Sequence, residues 1–123
     1  MTVSERIFPQ NTMGTNIWLL KDSKGWTAIA TDKSGNVVGI GNPYMQSIQI
    51  IKNIQTALQR VDVSLTDIVR IRIYTTNIIY WGKIGQAHLG FLKEIRPACT
   101  LVEVSHLISR EILVEMEADA IVT

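Results

Sequence analysis

Cysteine is almost missing from this sequence: Cys99 is the only one in 123 residues, so no disulfide forms within the chain. A one-sided charge is missing too. Twelve basic and eleven acidic residues leave a net charge of +1, which gives no overall pull toward nucleic acid or anionic lipid. No apolar run approaches the roughly 18 residues of a membrane span. The opening "MTVSERIFPQ" lacks the apolar centre of a secretory signal. These absences predict a cytoplasmic protein with neither a membrane nor a nucleic-acid partner. His88 and His106 stand apart, and with one cysteine no metal-ligand spacing exists; no metal or cofactor is called for. "GIGNPY" has Tyr44 where a dinucleotide fingerprint needs its third glycine, and no βαβ unit surrounds it. Trp18, Trp26 and Trp81 do not interleave with basic residues, so no stacking platform for single-stranded RNA is indicated.

What is present suffices for one folded domain over residues 1–123. The chain is 46% hydrophobic and 19% charged, and a chain of this length buries about two-thirds of its unfolded surface. "IWLL" (Ile17 to Leu20), "WTAIAT" (Trp26 to Thr31) and "NVVGI" read as three short strands separated by turns. Asn42 and Pro43 start a helix by capping it and pre-setting its first φ angle. Met45, Ile48, Ile51, Ile54, Leu58 and Val61 give that helix one apolar stripe, with Gln46, Gln49, Lys52, Asn53 and Gln59 largely off it. "DIVRIRIYTT" alternates as a strand, with Val69, Ile71 and Ile73 on one face and Arg70, Arg72 and Tyr74 on the other. A second helix follows over "IYWGKIGQAHLGFLKEI", with Trp81, Ile84, His88, Phe91 and Ile95 along one side; its three glycines weaken it but allow close approach by a backbone or ligand. "ACTLVEVS" and "EILVEMEADAIV" close the chain as strands.

The predicted order is β-β-β-α-β-α-β-β, an α+β two-layer fold with a mixed six-stranded sheet and two helices on one face. Counting alternate residues puts Arg70, Arg72, Tyr74, Cys99, Leu101, Glu103, Glu117, Asp119 and Ile121 on the other face. Such a mixture of apolar and charged groups suits a subunit interface containing polar clefts.

Two segments then become familiar. "RPACTLVEVSHL" and "ILVEMEADAIV" resemble the Pro-Ala-Arg-Ser, Val-Glu-Val and closing Glu-Ile-Glu-Ala pattern of the Rid family, the YjgF-like reactive-intermediate deaminases. "QSIQIIKNIQTALQRVDVSLTDIVRIRIYTTN" resembles that family's Gln-rich helix, its Ser-Leu-x-Asp turn and the following strand. The likeness runs roughly from Trp26 to Val122. It implies a chorismate-mutase-like fold and a homotrimer with clefts between subunits. It also implies hydrolysis of enamine and imine intermediates such as 2-iminobutanoate. In that family an arginine of Pro-Ala-Arg-Ser grips the substrate carboxylate, and the glutamate of the final Glu-Ala pair handles the attacking water.

Transferred by position, the water-handling glutamate is Glu117, the arginine is replaced by Cys99 and the serine by Thr100. Gly85 stands where active members commonly carry asparagine, and Thr31 where Val-Ser-Gly has its serine. The family's Tyr-Ser-x-Ala segment has no counterpart in "NTMGTNIWLL". A thiol offers one weak donor and no fixed charge, so the carboxylate grip is absent at that position.

Three readings follow. One is a homotrimer that binds a small metabolite in its clefts, without the usual deaminase activity. Another is an enamine/imine deaminase that uses Glu117 and a substitute arginine, Arg72 or Arg70, with Tyr74 also in the cleft. A third is an RNA-directed role, for which the sequence offers no basic stripe. Each candidate also has a plainer explanation. Arg70 and Arg72 suit cross-strand pairing with Glu103, Glu115 or Asp119. Cys99 suits a small buried hydrophobe, with its thiol raised by a nearby Glu117. Glu117 suits a partner for either arginine.

Overall fold

The computed structural model describes residues 17–19 and 25–122. Residues 1–16, polar and without a helix or strand pattern in the sequence, and the turn at 21–24 lie outside the described residues. The elements run β1 (Ile17–Leu19), β2 (Gly25–Ile29), α1 (Pro43–Arg60), β3 (Ile68–Thr75), α2 (Trp81–Leu92), β4 (Ala98–Glu103) and β5 (Val114–Ala120). The sheet order is β1-β2-β5-β3-β4. β3 and β4 are parallel, and the other neighbours are antiparallel. The mixed α+β sheet with two helices is therefore present, but with five strands among the described residues.

The missing strand is "NVVGI", which contributes only a single bridge, Thr31 to Val37. Asp32 Oδ1 accepts from the N–H groups of Ser34 and Asn36 and folds the turn between them. Beyond Val38 the chain needs left-handed backbone at Gly39 (φ 67°) and Gly41 (φ 74°), which no strand can contain. A Cβ on Gly39 would stand 2.9 Å from the Met45 Cβ, so glycine is also required by space. Asn42 Oδ1 then accepts from the Met45 N–H at 3.0 Å and opens α1, as the sequence predicts.

One sheet face carries the core. Trp26, Ala28, Ile71, Ile73, Met116 and Ala118 pack there with Ile50, Ile54 and Leu58 of α1 and Ile84 and Leu92 of α2. The α1 stripe is wider than the one read from the apolar residues. Met45 and Val61 are 43% and 45% exposed, while Ile50, Ala57, Gln46, Ser47 and Asn53 are buried. Gln46 and Asn53 are inside because they satisfy strand ends. Gln46 Nε2 donates to the Glu111 carbonyl at 2.7 Å, and its Oε1 accepts from the Leu113 N–H at 2.8 Å. Asn53 Nδ2 donates to the carbonyls of Ile29 (3.2 Å) and Thr31 (2.9 Å). On α2, Trp81 is 64% exposed and Ala87 takes an inner place instead.

Strand faces differ from the alternation count in two places. A register shift between Ile68 and Arg70 pushes Val69 outward and turns Ile68 into the core. The second difference concerns β4, which carries part of the candidate site.

Candidate functional site

Register across the sheet sorts the candidates. On β3, Arg70, Arg72 and Tyr74 pair with Asp119, Glu117 and Glu115 of β5, and with Ala98, Thr100 and Val102 of β4. Paired residues share a face, so these side chains, with Thr27 and Ile29 of β2, form the open face away from the helices. Cys99 pairs with Ile71, and Leu101 with Ile73. Both therefore lie on the helix side, where Leu101 packs against the core. The alternation count placed Cys99, Leu101 and Glu103 with Glu117; the parallel pairing of β4 with β3 reverses that. Parity within one strand cannot tell which face a strand across a loop will present.

The open face is a ladder with a consistent lean. Each long β3 side chain reaches one step along β5 rather than straight across. Arg72 stands opposite Glu117 but bonds Asp119, Nη1 to Oδ2 at 3.3 Å. Tyr74 stands opposite Glu115, but its hydroxyl donates to Oε1 of Glu117. The Arg72–Asp119 pair is half-exposed (side chains 37% and 39%), so it contributes little to stability. What it does is occupy Arg72. The lean leaves Arg70 at one end, exposed and with no ion pair among the described residues. At the other end it leaves Glu115 without a partner from β3.

Electrostatics follow this geometry. Tyr74 is raised above the usual tyrosine range, chiefly by its hydrogen bond to Glu117 and then by burial and the Glu117 charge. Glu115 is raised by burial first and by the Glu117 charge second, while a hydrogen bond from Thr27 opposes the shift. Because its folded-state pKa lies above its unfolded one, Glu115 adds stability below the unfolded value, and that contribution is lost as pH rises through the folded value. Glu115→Gln carries no charge at any pH and is expected to raise the urea midpoint at about pH 7. The advantage should shrink toward about pH 4, where the parent carboxyl is protonated in both states. A lower midpoint for Glu115→Gln at neutral pH would mean that the Thr27 bond outweighs burial of the charge.

The remaining candidates are dispersed. Cys99 is an exposed residue of the edge strand rather than the buried hydrophobe expected, and burial around its sulfur, not Glu117, pushes its thiol pKa up. That disfavours thiolate and nucleophilic use. Thr100 is exposed beside Arg72. Thr31 is buried at the end of β2, where its carbonyl accepts from Asn53. Gly85 lies on α2. A Cβ at Gly82, Gly85 or Gly90 would meet nothing within 4 Å among the described residues, so no close approach by those residues explains these glycines. Burial lowers the His88 pKa below the usual histidine value, and its Nε2 has no partner among the described residues. Among those residues no group of His, Cys, Asp or Glu is arranged to hold a metal ion, and no helix is long and apolar enough to cross a membrane. Sequence reasoning named Glu115 only as a pairing partner for Arg70 or Arg72, and missed Thr27 and the Tyr74–Glu117 bond. The i, i+2 spacing of Glu115, Glu117 and Asp119 was the available signal.

Residues 25–122 match the family model described as Endoribonuclease L-PSP. The chain belongs to the Rid (YjgF-like) superfamily. It is 32% identical over 88 residues to a RutC family protein of Pyrococcus abyssi, covering 72% of this chain and 68% of that one. A solved Mycobacterium tuberculosis member of the YjgF/YER057c/UK114 family is 35% identical, with a TM-score of 0.70 over 81% of this chain and 80% of the other. The Rid-family protein YyfA from Yersinia pestis superposes with a TM-score of 0.72 at 30% identity, covering 80% and 81% of the two chains. This Rid chain thus shares the family fold.

Proposed function

We propose that the protein is a homotrimer that binds a small metabolite in clefts between its subunits, without the usual imine deaminase activity. One observation carries this reading. Cys99 and Glu117 occupy opposite faces of the same sheet. A cleft lined by both positions therefore draws them from two chains, as a site between subunits would. The open face supports the same assembly. Half-buried Ile29, Tyr74 and Glu115 alternate with fully buried neighbours on β2, β3 and β5, a pattern suited to further covering by a second subunit.

The loss of the deaminase reaction follows from charge. With sulfur at position 99 and Arg72 engaged by Asp119, the cleft has no dedicated fork for a carboxylate, while Glu117 repels an anion. The ligand is therefore a metabolite held by hydrogen bonds and shape rather than by a carboxylate grip. A second reading, an enamine/imine deaminase, has its own support: Arg72 lies in register with Glu117, and Arg70 has no ion pair among the described residues.

Light scattering tests the assembly, and freshly generated 2-iminobutanoate tests the chemistry. The expected results are a mass of three chains and release of ammonia no faster than without protein. A single-chain mass would sink the cleft reading. Accelerated release that disappears in Glu117→Ala would establish the second reading instead.

A further inference from the structure

The head of α2 is held from β4 rather than from its own first turn. Ile78–Tyr80 form one 3₁₀ turn that runs directly into α2. The first N–H groups of a helical run have no partner within it and attract an acceptor. Neither the 3₁₀ turn nor the first turn of α2 carries an acidic residue, and α2 has no side-chain cap. Asn77 Oδ1 accepts from the Ile79 N–H at 3.0 Å, a local bond. The Ile78 N–H instead donates to Oε1 of Glu103, the last residue of β4, at 2.8 Å. Among the described residues no other side-chain hydrogen bond joins this helix head to β4.

Register explains how Glu103 reaches it. Glu103 pairs with Thr75, as Leu101 pairs with Ile73 and Cys99 with Ile71, so all three β4 side chains share the helix side. β3 and β4 are parallel, so α2 is the crossover that runs back between them, and its head lies at the Glu103 end. Leu101 packs against the core in the middle of the strand, and Cys99 is exposed at the other end. We propose that Glu103 is a positioning residue: by accepting from Ile78 it sets the first half of α2, which carries Gly85, at a fixed distance from β4, which carries Cys99. Asn77 holds the turn to itself, whereas Glu103 holds it to the sheet. Glu103 therefore acts through Ile78 and need not touch a ligand. The inference rests on the cleft reading for its use, since Gly85 and Cys99 are its candidate walls, but not for its test.

The test is made on the ligand-free protein, so neither an empty cleft nor a single-chain mass affects it. Cys99, the only cysteine and an exposed one, takes a nitroxide label. Broadening of amide signals by that label reads the distance from β4 to α2. Glu103 is exposed, so Glu103→Ala should fold. In Glu103→Ala the Ile78 amide should exchange with deuterium about ten-fold faster than in the parent. Broadening should change from Ile79 to Gly85 and stay as it was at Leu92. Glu103→Gln keeps an acceptor oxygen and should restore both readings. Asn77→Ala should speed exchange at Ile79 and leave the broadening alone. Unchanged broadening in Glu103→Ala would overturn the proposal. So would an equal change in Asn77→Ala, because fraying of the turn would then be enough, or a Glu103→Gln protein that behaves like Glu103→Ala.

Discussion

Cys99→Arg is expected to hydrolyse 2-iminobutanoate about a hundred-fold faster than the parent protein, measured as keto-acid or ammonia release. An arginine fork makes two charge-assisted bonds to a carboxylate, each contributing roughly 1.5–3 kcal/mol. At about 1.4 kcal/mol per tenfold, the pair accounts for a hundred-fold or more in substrate capture. A small imino acid has few other atoms through which to recover that loss. The backbone is already suited to the change: Cys99 is an exposed residue on edge strand β4, so a guanidinium there does not have to be buried. The stability cost should stay within about 0.5 kcal/mol, as for most surface substitutions. Adding Glu117→Ala to Cys99→Arg should remove the gained activity. If Cys99→Arg folds and gains nothing, a missing arginine at position 99 is not what withholds imine hydrolysis from this chain.

Gln46→Ala is expected to cost about 2–5 kcal/mol of stability, read as a lower urea midpoint with an unchanged slope. The Gln46 side chain is fully buried and makes two bonds to the chain entering β5, at Glu111 and Leu113. The same Leu113 also accepts through its carbonyl from the Thr75 hydroxyl, so the clamp joins α1, β3 and the start of β5. Truncation leaves a buried N–H and a buried carbonyl unpaired, at roughly 1–3 kcal/mol each, and opens a small cavity. Because association is linked to folding in an oligomer, the midpoint should be compared at matched protein concentration. A loss below about 0.5 kcal/mol would mean that water or a shifted loop replaces the amide.

Gln46 also shows where sequence reading ends. Period and capping rules place α1 almost to the residue, since Asn42, Pro43 and the recurring isoleucines act locally. They set Gln46 and Asn53 aside as polar, because the strand ends these amides satisfy are 22 to 67 residues away. The open face was legible on β3 and β5, where charged and apolar residues alternate. It was not legible on β4, whose face depends on register with β3 rather than on its own pattern. The "NVVGI" strand failed for a different reason: its β-branched residues favour extension, but the glycines that follow must turn the chain into α1. At the candidate site, the resemblance names Glu117 and Cys99, but not that the sheet register sets them on opposite faces. The diagonal reach of Tyr74 and Arg72 could not be read either, because it depends on side-chain direction rather than on which residues are paired.

Subunit mixing tests the two-chain cleft most directly. A chain carrying both Cys99→Arg and Glu117→Ala is refolded together with the unmodified chain, and imine hydrolysis is compared with each chain alone. Clefts shared between subunits predict that neither chain is active by itself and that the mixture is, because one supplies the guanidinium and the other the carboxylate. A silent mixture, beside a Cys99→Arg homo-oligomer that is active, would place both groups in one chain and contradict the account.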